Sequence, residues 1–359
     1  GQQTQIQFIA GNSYAYEARQ KRNLLNLLHS DTISLQMISQ LNFYLPMIWA
    51  DMIGAFLTEN NIHKEDIDWI GSHGHTLWHQ PDNAWFMHRE VRSTLQMGDP
   101  SVLAQLTRIP VVGDFRVADV ALGGQGAPLI PYFDWVFFSS FKTDMLILNI
   151  GGISNITFVP GDGDFNKLMA FDCGPGNMLI DQVMEHLYQQ PYDAGGQKAA
   201  SGQFSLELFQ FLNSIDHFPH QSPPKSTGRE HYGKKFVDRI LQRAAQLNMT
   251  KEDIVHTVSE YTALSIAENY KKFIEPQHAA DVLVAGGGGA SNTFLLHRLQ
   301  HHLQTLTLAK ATDYDLNEDY KEAIGFAVLA NETIHGNPGN VPFASGAARP
   351  AILGKICPV

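Results

Sequence analysis

Asn149-Ile-Gly-Gly-Ile-Ser-Asn155 and, a little further on, Phe171-Asp-Cys-Gly-Pro-Gly-Asn-Met-Leu-Ile-Asp181 decide the fold class. The apolar run 145–148 stops at Gly151 and Gly152 and resumes at Ile156. That pattern predicts two short strands joined by a glycine turn, where backbone N–H groups can approach a ligand. Asp172 ends a third apolar run. Gly174, Pro175 and Gly176 then form a bend whose Pro suits the first position of a helix, and Ile180, Val183, Met184 and Leu187 follow at helical spacing over residues 177–188. The start of this helix is expected to face a polar crevice. Its unpaired N–H groups favour an anion there, and Asp181, about one turn in, is placed to take a proton from something held in front of it.

A second cluster points the same way. Val282-Leu-Val-Ala-Gly-Gly-Gly-Gly-Ala-Ser-Asn292 reads as a buried strand, four glycines and a capped helix start, so a flat or phosphorylated ligand can lie against the main chain. Neither cluster is a Walker A loop, because no Gly-Lys-Ser or Gly-Lys-Thr follows, and no Gly-x-Gly-x-x-Gly fingerprint follows a first strand.

The 359 residues exceed one ordinary core, so two domains are expected, and 44% hydrophobic with 17% charged residues fit a soluble globular protein. No apolar run reaches membrane-spanning length. A formal net charge of −11 argues against nucleic acid as the main partner, while leaving room for a small anion held by local groups. Cys173 and Cys357 are the only cysteines, too few for a disulfide framework, and no leader peptide is visible. Together these point to a reducing cytoplasm. Cys173 reads as a small residue packed in a tight turn rather than a nucleophile, since no positioned base accompanies it.

Strands and helices alternate along the chain. Residues 5–14 alternate as a strand, 33–57 have helical spacing with a kink or break expected at Pro46, and 69–72 form a strand ending in His73-Gly-His-Thr76. A helix over 101–106 precedes a strand at 109–112 and the polar end Gly113-Asp-Phe-Arg116. Polar residues at strand ends are where open α/β sheets bind ligands. The pattern restarts near Pro131, with a hairpin over 146–158, a long helix over 251–273 and the strand at 282–285. The Pro-rich excursion 218–230 carries Lys225, Ser226, Thr227 and Arg229, which can contact an anion or sugar as well as serve a plain connector.

His73 and His75 have the spacing of a metal-binding pair, with His79 and Asp114 as further ligands, but two histidines on one strand more often hydrogen-bond to backbone or ligand hydroxyls, and no metal is expected. Gly98-Asp99, Gly113-Asp114-Phe-Arg116 and Ala121-Leu-Gly-Gly-Gln-Gly-Ala-Pro128 cluster polar and glycine residues. There Arg116 can hold a carboxylate through its bidentate fork while the aspartates hold sugar hydroxyls.

At this point the chain closely resembles the anhydro-N-acetylmuramic acid kinase family. The resemblance rests on Ser72-His-Gly-His-Thr-Leu-Trp-His79, Val112-Gly-Asp-Phe-Arg116, Ala121-Leu-Gly-Gly-Gln-Gly-Ala-Pro-Leu129, Leu148-Asn-Ile-Gly-Gly-Ile-Ser-Asn155, Asp172-Cys-Gly-Pro-Gly-Asn-Met-Leu-Ile-Asp181, Pro224-Lys-Ser-Thr-Gly-Arg-Glu230, Gly287-Gly-Gly-Ala-Ser-Asn292 and Leu353-Gly-Lys-Ile-Cys-Pro358, collinear over nearly the whole chain. It implies an α/β, two-domain actin/hexokinase-like (ribonuclease H-like) ATPase fold with a central cleft. Residues 1–131 with 338–359 would form the sugar side and 132–337 the nucleotide side. It further implies a cytoplasmic homodimer that uses ATP and Mg²⁺ to open 1,6-anhydro-N-acetylmuramic acid with water and phosphorylate the freed O6, giving N-acetylmuramic acid 6-phosphate in cell-wall recycling.

Residue by residue, the resemblance assigns Asp181 as the catalytic base and His73, Thr76, Asp99, Asp114, Arg116 and Glu322 (in Glu322-Ala-x-x-Phe-Ala) to the sugar. Gly151, Gly152, Asn155, Gly174, Gly176, Gly286, Gly287, Gly288 and Asn292 fall to the nucleotide. Substrate and nucleotide are then expected on different domains, with closure coupling them. Family members open with a strand and the loop Gly-x-Met-Ser-Gly-Thr-Ser-x-Asp-Gly-x-Asp that holds the ATP phosphates, and the sequence given starts after it. Weak phosphoryl transfer by this sequence alone is expected, and a non-catalytic sugar- or nucleotide-binding degenerate kinase is the alternative. With the other motifs intact, an omitted N-terminus fits better. Residues 82–92, including Trp85, Phe86 and His88, read as an enlarged loop near the sugar side.

Overall fold

A computed structural model describes residues 3–28, 32–228 and 230–359. Its ten strands are β1 (Ile70–Ser72), β2 (His75–Phe86), β3 (Arg89–Met97), β4 (Val111–Gly113), β5 (Met145–Ile150), β6 (Ile153–Val159), β7 (Met169–Pro175), β8 (Val282–Gly286), β9 (Thr307–Lys310) and β10 (Lys355–Cys357), among the described residues. The chain divides into two units, residues 1–136 with 320–359, and residues 137–319.

The second unit is built on one five-stranded sheet ordered β7-β6-β5-β8-β9. β5 pairs antiparallel with β6 and parallel with β8, β6 pairs antiparallel with β7, and β8 parallel with β9. Numbered within the unit, the order is 3-2-1-4-5. β5 is central and buried on both faces, which is why its sequence is a continuous apolar run rather than an alternating one. Against the sheet lies the helix Lys251–Phe273. Thr250 caps it by accepting from the Asp253 N–H at 3.2 Å, and Glu252 and Asp253 in the first turn with Lys271 and Lys272 in the last complement its dipole. The hairpin and the long helix therefore fall where the pattern predicts them.

In the first unit β1 and β4 run parallel and β10 closes antiparallel on β4. The helix Lys321–Ile334 packs on β1 so closely that a Cβ on Gly71 would sit 2.6 Å from the Phe326 carbonyl oxygen. Residues 320–337 cluster with the first unit, whereas the split implied by the resemblance groups them with the second.

Other differences have local causes. The helix Leu35–Glu59, capped by the Ser34 hydroxyl, runs through Pro46 without the expected break. Residues 5–14 form no ladder, because alternation alone supplies no partner strand; Phe8 stacks on Tyr320 instead, ring centroids 5.5 Å apart. Residues 82–92 are no loose loop but the end of the β2–β3 hairpin, turned at Met87 and His88 with positive φ of 45° and 71°. No helix among the described residues is long and apolar enough to cross a membrane.

Candidate functional site

In the second unit three glycine clusters meet at one end of the sheet. The parallel register of β5 and β8 puts Asn149 beside Gly286, and the antiparallel β6–β7 pairing puts Gly174 opposite Ser154 and Pro175 opposite Ile153. A polar row crosses this otherwise apolar sheet: Asp172 opposes Asn155, Asn155 opposes Asn149, and Asn149 opposes Gly286. Directly opposed residues share a face, so the row is continuous.

The glycines serve two different ends. A Cβ on Gly286 would collide with the Glu318 carboxylate, one on Gly176 with the Gly151 carbonyl, and one on Gly287, whose φ is +78°, would lie 2.6 Å from Asn149 Oδ1. A Cβ on Gly152 would sit 2.9 Å from Met178 Cε, and Gly174 holds a φ of +144°. Backbone contact or positive φ makes Gly174, Gly176 and Gly287 a requirement of the protein's own packing, whereas at Gly152 and Gly286 only the movable ends of Met178 and Glu318 stand in the way. At Gly151 and Gly288 a Cβ would meet nothing nearer than 3.6 Å, so their bareness has no internal reason and leaves main chain accessible to a ligand.

The crevice at the helix Asn177–Tyr188 differs from expectation. The Gly176 and Met178 N–H groups donate to the Gly152 carbonyl at 2.9 and 3.2 Å, and the Asn177 N–H donates to the Gly151 carbonyl at 2.8 Å. These amides are spent on the glycine turn, so an anion cannot use them. Pro175 is the last residue of β7 rather than the first of the helix, and Gly176 takes the N-cap position. Asn292 is buried as the N-cap of the helix Thr293–His302, accepting from the Leu295 N–H at 3.0 Å, and so its carboxamide oxygen is committed. Asp181, one turn into its helix, makes no hydrogen bond or ion pair among the described residues, and partial burial pushes its carboxyl up to about 6.

The 218–230 excursion is tied down from inside. Asp172 accepts from Ser226 Oγ at 3.1 Å and the Thr227 N–H at 2.9 Å; burial nevertheless pushes its carboxyl up to about 6, against those bonds and Lys225. Lys225 is buried with its ammonium donating to the Phe218 and Pro219 carbonyls at 3.3 and 2.8 Å, over the rings of Phe171, Phe218 and Phe273. Burial lowers its pKa to about 8. Lys225 therefore anchors the loop and is not presented to an anion. Arg229 lies outside the described residues. Cys173 is fully buried, which drives its thiol far above the ordinary range and fits a packed residue.

In the first unit His73 and Glu322, of the sugar-assigned residues, interact with Arg116. Its Nε–H donates to His73 Nε2 at 2.8 Å and its Nη1 to the Gly126 carbonyl at 2.6 Å. His73 Nδ1 lies 2.9 Å from the Gly74 carbonyl, its ring packs on Phe326, and burial together with the Arg116 charge pulls its pKa down to about 4. Both ring nitrogens are thus engaged, leaving His73 no lone pair for a metal. His79 Nδ1 meets Thr94 Oγ1 at 3.0 Å, and His75 Nε2 is buried without a partner among the described residues. No group of three or more His, Cys, Asp or Glu able to hold a metal occurs among the described residues.

Glu322, exposed in the first turn of its helix, supports the Arg116 charge electrostatically. Thr76 Oγ1 accepts from Gln96 at 3.3 Å. Asp99 caps the helix Pro100–Thr107 through the Ser101 and Val102 N–H groups, and Asp114, at φ +59°, pairs with Lys355 at 2.7 Å. Sequence reasoning passed over Asp119. It is fully buried and accepts from the Gly126 N–H, Asn340 Nδ2 and Ser345 Oγ at 2.8, 2.7 and 2.7 Å, so it fixes the 123–126 turn. An aspartate inside Val117-Ala-Asp-Val-Ala121 is the signal that was there to be used.

A mixed α/β sheet ordered 3-2-1-4-5 carries bare glycine main chain at the ends of its parallel strands, and the sequence places the chain among kinases. The chain belongs to the anhydro-N-acetylmuramic acid kinase family, whose model matches residues 1–359. It is 39% identical over 358 residues to the anhydro-N-acetylmuramic acid kinase of Caldanaerobacter subterraneus subsp. tengcongensis, covering 99% of this chain and 90% of that one. It is 41% identical over 338 residues to the enzyme of that name from Bacillus cereus, covering 94% and 87% respectively. Among solved structures it is similar to the ROK hexokinase of Thermus thermophilus, with a TM-score of 0.35 and 14% identity over 81% of this chain and 87% of that one.

Proposed function

We propose that this protein is an ATP-dependent kinase that opens 1,6-anhydro-N-acetylmuramic acid with water and phosphorylates O6, giving N-acetylmuramic acid 6-phosphate. The observation that carries the chemistry is Asp181, unpaired, partly buried and raised to about 6, so that it is ionised at neutral pH yet basic enough to accept a proton. Its carboxylate takes a proton from the water that attacks the anomeric carbon; the C1–O6 bond breaks, and O6 leaves as the nucleophile for phosphoryl transfer. Arg116 would hold the lactyl carboxylate, and the family resemblance assigns Glu322, Thr76, Asp99 and Asp114 to ring substituents.

Gly151, Gly152 and Gly286 to Gly288 would line the nucleotide, with Asn155, Gly174 and Gly176 behind them. The fit rests on the two glycines whose Cβ positions are open. Bound ATP supplies the γ-phosphoryl group. Mg²⁺ would be held chiefly by the phosphates with one or two carboxylates, as such sites usually are. A homodimer working in the cytoplasm completes the proposal, supported by the family resemblance and by two free cysteines.

The test is direct. The natural protein is incubated with the anhydro-sugar, ATP and Mg²⁺ beside a relative of established activity. Stoichiometric sugar 6-phosphate and ADP are expected; no product under conditions where the relative turns over would overturn the proposal.

A further inference from the structure

We infer that His73 and Asp119 are positioning residues that aim Arg116 at a substrate carboxylate, His73 directly and Asp119 through the 123–126 turn. The inference rests on the proposed function for the identity of the carboxylate, and on geometry alone for the clamp. A guanidinium has five N–H donors in one plane. Here the Nε–H is taken by His73 Nε2 and one Nη1–H by the Gly126 carbonyl, on two different sides of that plane's outline. Two fixed acceptors define the orientation of a rigid planar group. Both N–H groups on Nη2 meet no acceptor among the described residues, so the clamp leaves a charged, aimed donor edge for an anion.

Each acceptor is itself held. A lone pair at His73 Nε2 requires the proton to sit on Nδ1, where the Gly74 carbonyl receives it at 2.9 Å, so the imidazole is locked as the neutral Nδ1–H tautomer. Phe326 packs on the ring with centroids 4.6 Å apart and prevents it from turning away. The Gly126 carbonyl is fixed because its own N–H donates to Asp119 Oδ2, while Asp119 Oδ1 accepts from Asn340 and Ser345 and the Gln125 N–H donates to the Ser345 carbonyl at 2.7 Å. A fully buried carboxylate satisfied by three donors, with no cationic partner among the described residues, is an expensive feature. The position of a single carbonyl that aims Arg116 gives it a purpose.

Two measurements decide this. The first needs no sugar: histidine ¹⁵N correlation spectra of the ligand-free protein should show His73 as the neutral Nδ1–H tautomer, and the Arg116 Nε–H resonance should be protected in the natural protein and in His73→Gln but lost in His73→Ala. An Nε2–H tautomer, or an Arg116 Nε–H equally exposed in all three, overturns the clamp.

The second compares calorimetric affinity for 1,6-anhydro-N-acetylmuramate and for 1,6-anhydro-N-acetylglucosamine, which lacks the lactyl carboxylate. His73→Ala should weaken the first about 10- to 100-fold and leave the second nearly unchanged, as misplacement of an orienting group does, and His73→Gln, which restores an acceptor, should recover most of the loss. Equal weakening of both sugars would show a merely structural role and overturn the aiming. Asp119→Asn should follow His73→Ala in the sugar affinities while the Arg116 Nε–H stays protected, because it releases the Gly126 carbonyl and leaves His73 in place; if it does not fold, the His73 pair decides. If the natural protein binds neither sugar while the spectra show the clamp, the proposed function fails and the clamp stands.

Discussion

Asp181 illustrates how burial without a partner prepares a carboxylate for chemistry. Desolvation raises its pKa to about 6 against an ordinary 3.8, with no compensating donor. The native state then binds more protons than the unfolded chain between those two values. Stability contributed by this residue therefore falls as pH rises from about 4 through 6 and stays low above it. Asp181→Asn should accordingly raise stability at pH 7 by up to about 2 kcal/mol once partial exposure is allowed for, with a matching rise in Tm, while kcat drops about 10²- to 10⁴-fold with sugar affinity largely kept. In the natural enzyme kcat/KM should decline below pH about 6 as the base is protonated. A variant that loses both stability and activity, or a flat profile from pH 5 to 8, would remove Asp181 from its assigned role.

At the scale of elements the glycine turns separate into those that let strands and helices approach and those left bare. Gly287 holds a φ of +78° and has a carbonyl and a carboxamide against its Cα, so Gly287→Ala should cost about 1–3 kcal/mol and lower Tm. Gly151→Ala and Gly288→Ala meet no such obstacle and should change stability by less than about 0.5 kcal/mol. Their effect should instead be a higher KM for ATP, with the KM for sugar unmoved. Kinetics and thermal melts on the three variants check this; a Tm loss at position 151 or 288 comparable to that at 287 would mean those glycines serve packing after all. The same turn explains the helix Asn177–Tyr188, whose first amides are satisfied by carbonyls of Gly151 and Gly152 rather than by a ligand.

For the whole molecule, ligand binding and charge set the expectations. ATP with Mg²⁺ at 100 times its Kd should stabilise the protein by about 2.7 kcal/mol, a rise of several degrees in Tm, whereas duplex DNA should give none, given a net charge of −11. Chelation should abolish turnover and added Mg²⁺ restore it. Metal analysis of the purified protein should find no stoichiometric zinc, because both His73 nitrogens are engaged; one zinc per chain would contradict that arrangement.

The sequence by itself determined what depends on near neighbours. Apolar runs broken by glycine placed β5, β6 and β8, helical spacing placed the helix Lys251–Phe273, and a collinear set of short motifs pointed to the family. Tertiary structure alone decided where hydrogen bonds close across long stretches of chain. Arg116 finds His73 across 43 positions and Ser345 finds Asp119 across 226, and Lys225 turns inward to backbone carbonyls although its loop reads as a polar surface segment. Periodicity and capping act over a turn or a strand and so leave a local mark. Which distant donor satisfies a buried acceptor is fixed only when sheets and helices pack and every buried polar group must find a partner.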